Sequence, residues 1–224
     1  MDKIEFLFLP ERKLFRTKSY KAKNVSEWFD HCLAKGMLDI KTLMPSKVRN
    51  RKILGFSNTT ESSLVCFFES NVTFFAPFWD FDISKKMWNV LYTEQVWEYA
   101  PEGRPHYKNN TDDFKFILRQ IEALAREIDC DYFADIFKKA HSILSGSPEH
   151  PESDYPLPLP QIPPEHLNLF RAASTADVFG AMGSWNDNPL SYASEKGLGD
   201  DYEALSKELL KQIRSALIFS INEW

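Results

Sequence analysis

Residues 111–144 read TDDFKFILRQIEALAREIDCDYFADIFKKAHSIL, and this stretch decides the fold class. Its apolar residues recur every three or four positions, which is the period of an amphipathic helix. The first set is Phe114, Ile117, Leu118, Ile121, Leu124, Ala125 and Ile128, and the second is Tyr132, Phe133, Ile136, Phe137, Ala140 and Leu144. The spacing predicts two antiparallel helices, one capped by Thr111 and one capped by Asp131 and ended by Gly146.

Before this stretch the apolar residues follow the two-residue period of strands. Residues 4–9 and 87–99 read as strands, and residues 62–82, SSLVCFFESNVTFFAPFWDFD, predict a hairpin that turns at Ser70 and Asn71. One helix is expected here, capped by Asn24 or Ser26, ended by Gly36, and carrying its apolar side on Trp28, Phe29, Cys32 and Leu33.

After it, prolines crowd residues 147–164, which excludes a regular helix there and predicts an extended connector. Pro164 suits the first position of a short helix over 165–173. Asp200 and Asp201 begin a final helix with a broad apolar stripe, which consists of Tyr202, Leu205, Leu209, Ile213, Ala216 and Ser220.

Strands followed by helices predict an α+β fold, with a β-rich N-terminal half containing one helix and a helical C-terminal half. We expect a β-rich region at 1–104 and a helical region at 105–224 with the Pro-rich connector at 147–164. A length of 224 residues also fits one continuous domain. The helices at 111–145 and the final helix are expected to pack together around the loop near residue 185.

The charge is unevenly distributed. Residues 1–100 carry a formal charge of +3 and the remaining residues −8. The acidic half argues against a nucleic-acid partner, because phosphate binding needs a basic surface, and it suits a basic partner. The run KVRNRK at 47–52 is the best candidate for contact with nucleic acid or an acidic surface, but it lacks interleaved aromatic residues, which favours a solvated loop.

Three features predict a cytoplasmic protein with no membrane partner. The N-terminal apolar run is too short for a secretory signal, and no stretch approaches the roughly 18 apolar residues of a membrane helix. The three cysteines, Cys32, Cys66 and Cys130, are far apart and form no C-x-x-C pair, so we expect buried, reduced thiols.

The most unusual stretch is VFGAMGSWND at residues 178–187. Its candidate partner-binding residues are Gly180, Gly183, Ser184, Trp185, Asn186 and Asp187. In one interpretation the glycines form a turn, the tryptophan fills the gap beside the last helix, and Asn186 or Asp187 caps a helix near 191–196. In a second, a rigid tryptophan and its polar neighbours are presented to a partner protein. A phosphate cradle is disfavoured, because the basic residue and preceding strand that it needs are absent.

The run DVFGAMGSWNDNP, with the acidic helix start EKGLGDDYEALSKEL after it, resembles the C-terminal part of uncharacterised bacterial immunity-type proteins that carry VFGGMGSWND. The likeness covers about the last 60 residues and departs at Ala181, where the family pattern has a second glycine. It implies a small cytoplasmic protein that neutralises a toxin by binding it, and it identifies no catalytic residue.

Other groupings of polar residues are weaker candidates. Asp80 and Asp82 share one face of a strand and could bridge a cation, but two carboxylates are too few for a metal site. The histidines show no metal-binding spacing, and no nucleophile motif is present. We therefore predict no metal, cofactor or catalytic residue, and a non-enzymatic protein-binding function. The alternative is a small hydrolase or ligand-binding enzyme that uses Asp80, Asp82 or Asp187 in a cleft between the halves.

Overall fold

The computed structural model describes residues 3–13, 16–44, 62–100, 102–146, 162–180 and 182–224. It is 48% helical and 21% strand, with a six-stranded mixed sheet in the N-terminal half and helices in the C-terminal half, so the predicted α+β class is confirmed. The described residues divide into two compact units, which meet in sequence between Pro105 and His106. The connector at 147–161 and the basic run at 47–52 lie outside the described residues.

Unit 1 contains the strands. Their bounds are β1 Lys3–Leu7, β2 Glu11–Lys13, β3 Arg16–Lys18, β4 Lys21–Ala22, β5 Asp39–Leu43, β6 Ser63–Phe67, β7 Val72–Asp82 and β8 Met87–Val96. Six of them form one sheet in the order β4-β1-β8-β7-β6-β5, and β2 pairs with β3. Strand β1 runs parallel to β8, and the other neighbours in the sheet are antiparallel. The sequence did not predict the short strands β2 to β5.

The three predicted turn and cap signals in unit 1 are confirmed. The β6–β7 hairpin closes with the Phe68 N–H donating to the Asn71 carbonyl over 3.0 Å. Helix α1, Val25–Ala34, begins after Asn24, whose side-chain oxygen accepts the Glu27 N–H over 2.8 Å. It ends before Gly36, which has φ +85°. Glycine suits that left-handed position.

The predicted apolar side of α1 is only half correct. Trp28 and Cys32 are buried in the unit 1 core, where Trp28 stacks on Phe6 with 4.8 Å between ring centroids. Phe29 and Leu33 are 40% and 49% exposed. The helical period places all four within one arc, and the sheet covers only the part of that arc that contains Trp28 and Cys32.

The end of the β7–β8 hairpin that lies next to its turn carries exposed aromatic rings. Trp79 pairs with Val90 and Phe81 with Trp88 across the two strands. The Trp79 and Trp88 rings meet edge to face at 6.2 Å, and Phe81 lies 5.0 Å from Trp88. The side chains of Trp79, Phe81 and Trp88 are 36–43% exposed.

Unit 2 contains five helices in the described residues. Their bounds are α2 Thr111–Glu127, α3 Asp131–Leu144, α4 Pro164–Ala176, α5 Asn188–Glu195 and α6 Gly199–Asn222. Pro164 begins α4, as its fixed φ favours. Helices α2, α3, α4 and α6 pack around one apolar core that also contains Trp185, which confirms the predicted packing around the loop.

The predicted caps of α2 and α3 are wrong by one residue. Thr111 and Asp131 are the first helical residues, and the cap positions are Asn110 and Cys130. Asn109 accounts for the first shift, because its side-chain oxygen accepts both the N–H and the hydroxyl of Thr111. The carboxylate of Asp131 instead accepts a 2.7 Å hydrogen bond from Arg126.

Candidate functional site

The stretch before α5 is a tight, self-bonded turn. The Gly183 N–H donates to Asp187 Oδ2 over 3.0 Å, and the Asp187 N–H donates back to the Ser184 carbonyl over 3.1 Å. The Ser184 hydroxyl donates to the Gly180 carbonyl over 2.9 Å and accepts the Asn186 N–H over 3.2 Å. Five of the six candidate residues thus bond to one another through short-range contacts.

Gly183 is the position where glycine is required. Its φ is +77°, in the left-handed region that side chains with a Cβ rarely adopt. A Cβ added there would meet nothing within 4 Å, so the constraint lies in the backbone alone. Gly180 has no positive φ, and a Cβ there would meet the Ser184 Cβ at an ordinary 3.5 Å. Ala181, where the chain departs from the immunity-type pattern, lies outside the described residues.

Trp185 is the anchor of the turn. Its N–H donates to the Val178 carbonyl over 3.1 Å, and its indole N–H donates to Ser206 Oγ over 2.7 Å. The Tyr202 hydroxyl donates to the Trp185 carbonyl. The indole also lies 5.2 Å, between ring centroids, from each of Phe133, Phe137 and Tyr202. Helix α6 therefore holds the residue by both its main chain and its ring.

The hypothesis that Trp185 is presented to a partner is wrong, because its side chain is 0% exposed. The packing interpretation predicted this contact with the last helix. Its second part is half correct, since Asp187 occupies the cap position of α5, which begins at Asn188, but makes no side-chain cap bond. The Asp187 carboxylate is turned back onto Gly183 instead. Partner binding by the other five candidate residues stays a prediction.

A cavity of about 210 Å³ adjoins the turn. One wall consists of Gly183, Ser184, Asp187, Asn188, Pro189 and Tyr192, and the other is the connection between α2 and α3, Asp129, Cys130, Asp131, Tyr132 and Phe133. We call these two walls and the cavity between them the turn face. Three of the candidate residues thus line a concave surface together with residues some fifty positions earlier in the chain.

The α2–α3 connection has its shape because Asp129 takes a left-handed conformation, with φ +59°. The chain then turns so that the Cys130 N–H donates to the Ala125 carbonyl over 2.8 Å, which closes α2. Aspartate tolerates this conformation better than most residues. Sequence reasoning identified two helices here and assigned no site to the turn between them. The one sequence feature that could have indicated a site here is the run of Asp129, Cys130 and Asp131, which lies between the two apolar sets.

The carboxylates at the α2–α3 connection form ion pairs with nearby cations. Lys196 Nζ lies 2.6 Å from Asp129 Oδ2 and also donates to the Glu127 carbonyl. Arg126 lies 2.7 Å from Asp131 and 2.5 Å from Asp135, and its third carboxylate neighbour is Glu122 at 3.9 Å. Burial raises the pKa of the Cys130 thiol, and the negative charges of Asp129 and Asp131 raise it further. Lys196 acts in the opposite direction and lowers the pKa of this thiol.

The other sequence candidates lie elsewhere. Asp82 ends β7 and accepts hydrogen bonds from the Ser84 N–H and hydroxyl and from the Lys85 N–H. These bonds hold the pKa of Asp82 at about 2. Asp80 lies two residues away on the same strand. Within the described part of the chain, no group of three or more His, Cys, Asp or Glu side chains is placed to hold a metal ion.

Among the described residues, no helix combines the length and the hydropathy needed to cross a membrane. Comparison of the chain with protein-family models, with curated proteins and with solved structures finds no significant match.

Proposed function

We propose that this chain is a non-enzymatic protein-binding protein and that it engages another protein through the turn face of unit 2. The observation that supports this proposal best is a small cavity whose rim carries large side chains in contact with solvent. Tyr132 is 72% and Tyr192 43% exposed, and Met182 on the adjoining turn is 91% exposed. Exposed aromatic and methionine side chains around a concave surface are typical of protein interfaces.

The size of the cavity favours a protein partner over a small-molecule substrate. Small-molecule sites usually measure about 300–1,000 Å³, whereas this cavity measures about 210 Å³. It has room for one side chain of a partner. Of the carboxylates in the enzyme alternative, Asp82 accepts its hydrogen bonds from Ser84 and Lys85 of its own hairpin.

A finer proposal is that the partner is a toxin in the bacterial cytoplasm. It rests on the resemblance to immunity-type proteins and on the acidic C-terminal half, which suits a basic partner. The free cysteines, all buried, fit a reducing compartment. Tight binding through a preformed surface is sufficient for neutralisation, so this proposal needs no catalytic group.

The test compares two surface variants. Tyr132→Ala combined with Met182→Ala removes exposed side chains from the turn face and from the turn beside it, and Phe116→Ala removes a 61% exposed ring from α2 that does not line the cavity. Surface substitutions of this kind change stability by about 0.5 kcal/mol or less, so all three proteins should melt together. Each immobilised protein is then exposed to native lysate, and captured partners are purified and titrated by calorimetry.

We expect one partner that binds wild type and Phe116→Ala equally and the turn-face variant at least tenfold more weakly. Equal affinity for all three proteins would overturn the proposed surface. For the finer proposal, the captured partner should stop growth when expressed alone and be harmless when expressed with wild type. A partner without toxicity would overturn the immunity role and leave the binding function intact.

A further inference from the structure

Two tyrosines line the cavity of the turn face. Tyr132 is the second residue of α3 and Tyr192 lies in α5, and both rings are partly in solvent. The faces of tyrosine rings attract cations, most often the guanidinium group of arginine. Arginine can also lay its apolar stem against Phe133 and Pro189, which form part of the walls.

The charges around the cavity favour the same ligand. Asp129, Asp131 and Asp187 line the cavity, and Lys196 and Arg126 are ion-paired with the first two. The net charge of these five groups is −1, and none of the described residues that line the cavity is a lysine or arginine. Arg126 divides one positive charge among three carboxylates, which leaves them undercompensated. An incoming cation would reduce repulsion within this group as well as gain attraction.

Asp187 is the carboxylate best placed to receive that cation. It lines the cavity, and the Gly183 N–H fixes its Oδ2 over 3.0 Å from within the same turn. Trp185 anchors the turn to α6, so the carboxylate is held on a rigid element before a partner arrives. A preorganised acceptor loses little side-chain entropy on binding.

We infer that this cavity accepts the side chain of an arginine from a basic segment of the partner protein, between the Tyr132 and Tyr192 rings and beside Asp187. This inference rests on the proposed protein-binding function and specifies the partner's chemistry. The planar fork of a guanidinium donates two parallel hydrogen bonds to a carboxylate and stacks on an aromatic ring, which an ammonium group cannot do.

The experiment titrates the ¹⁵N-labelled full-length chain with N-acetyl-arginine amide and follows the amide signals of Gly183, Asp187 and Tyr192. N-acetyl-citrulline amide, which has nearly the same shape without the charge, is the matched control ligand. We expect saturable shifts with the arginine compound and none with citrulline. The Asp187→Asn variant keeps an acceptor for the Gly183 N–H, removes the charge, and should weaken binding about three- to tenfold.

Asp113→Asn is the matched control variant, because it removes one charge from the opposite end of α2. That position is about 20 Å away along the helix, beyond the Debye length of about 8 Å at physiological salt. The Asp113→Asn variant should bind the arginine compound with the affinity of wild type. Absence of saturable shifts, or equal shifts with citrulline, would overturn the inference. Equal affinity for N-acetyl-lysine amide would overturn the choice of arginine.

The same reagents separate this inference from the proposed function. If a partner is captured through the turn face but N-acetyl-arginine amide neither competes with it nor binds, the arginine inference fails and protein binding stands. If the arginine compound binds saturably but the turn-face substitutions leave the affinity for the captured partner unchanged, the proposed surface for protein binding is wrong instead.

Discussion

Two tryptophan-bearing turns, one in each unit, have opposite environments. In unit 2, Trp185 follows a left-handed glycine and is completely buried against α6. In unit 1, the Trp79 and Trp88 rings are diagonal neighbours on strands β7 and β8, meet edge to face, and are 36% and 39% exposed. From the sequence alone, Trp185 fits either a packed turn or a residue presented to a partner, and its spacing does not decide between the two. The difference shows that a conspicuous local motif signals a constrained backbone, and exposure depends on what the rest of the fold covers.

The largest expected effect comes from truncating the two kinds of tryptophan. Trp185→Ala should lower the free energy of unfolding by about 3–5 kcal/mol, because it removes a ring surrounded by three other aromatic rings. Trp88→Ala should cost about 1 kcal/mol or less, since it removes only cross-strand contacts at a wet surface. Urea unfolding monitored by circular dichroism measures both. Similar losses of unfolding free energy in the two variants would contradict the expected difference between the buried and the exposed tryptophan.

A smaller effect should follow from the hydrogen bond to the indole. Ser206→Ala leaves the indole N–H of Trp185 buried without its acceptor, which should cost about 1–3 kcal/mol. In a Trp185→Phe background the same serine substitution should cost much less, because no donor remains. Measuring all four proteins by urea unfolding completes a double-mutant cycle, and additive losses would show that the bond contributes nothing.

The two glycines of the turn should respond differently to alanine. Gly183→Ala should cost about 1–2 kcal/mol, because φ is +77° there. Gly180→Ala should stay within about 0.5 kcal/mol of wild type, as its new Cβ would meet only an ordinary contact. Melting temperatures of the two variants test this order. A larger loss at Gly180 would mean that the turn needs space rather than a left-handed residue.

The smallest effect concerns pH and the turn of the β7–β8 hairpin. Since the pKa of Asp82 is about 2, below the usual 3.8, its charge stabilises the folded hairpin above pH 4. That contribution should be lost as the pH falls from 4 to 2. Asn at this position keeps the acceptor oxygen without titrating, so the stability of wild type relative to Asp82→Asn should decline over this window. A carboxyl titration by NMR near pH 4 would refute the assignment.

The sequence predicted those helices and strands whose own residues carry a regular pattern or a cap signal. Periodicity located α1 to α3, α6, β1, the β6–β7 hairpin and β8, and Pro164 located α4. Short strands such as β4, with two residues, carry no period and were missed. The parallel pairing of β1 with β8 joins residues more than eighty positions apart, and no local signal encodes it.

The candidate site was predictable only in part. Glycine spacing identified the turn, and Gly183, Ser184 and Asp187 do line a cavity. The opposite wall, from Asp129 to Phe133, comes from a helix connection that looked structural in the sequence. Whether Trp185 is buried depends on Phe133, Phe137, Tyr202 and Ser206, which lie in two other helices. Such contacts exist only once the helices have packed.

The two hydrogen bonds between α6 and the turn bear on the order in which unit 2 assembles. Tyr202 and Ser206 lie only 17 and 21 residues after Trp185. Closing so short a loop costs little chain entropy, whereas the Phe133 and Phe137 rings lie about fifty residues away, across the Pro-rich segment. We therefore expect the turn, α5 and the first half of α6 to form an early folding nucleus onto which α3 docks later, so that Trp185 guides folding before it stabilises the finished core.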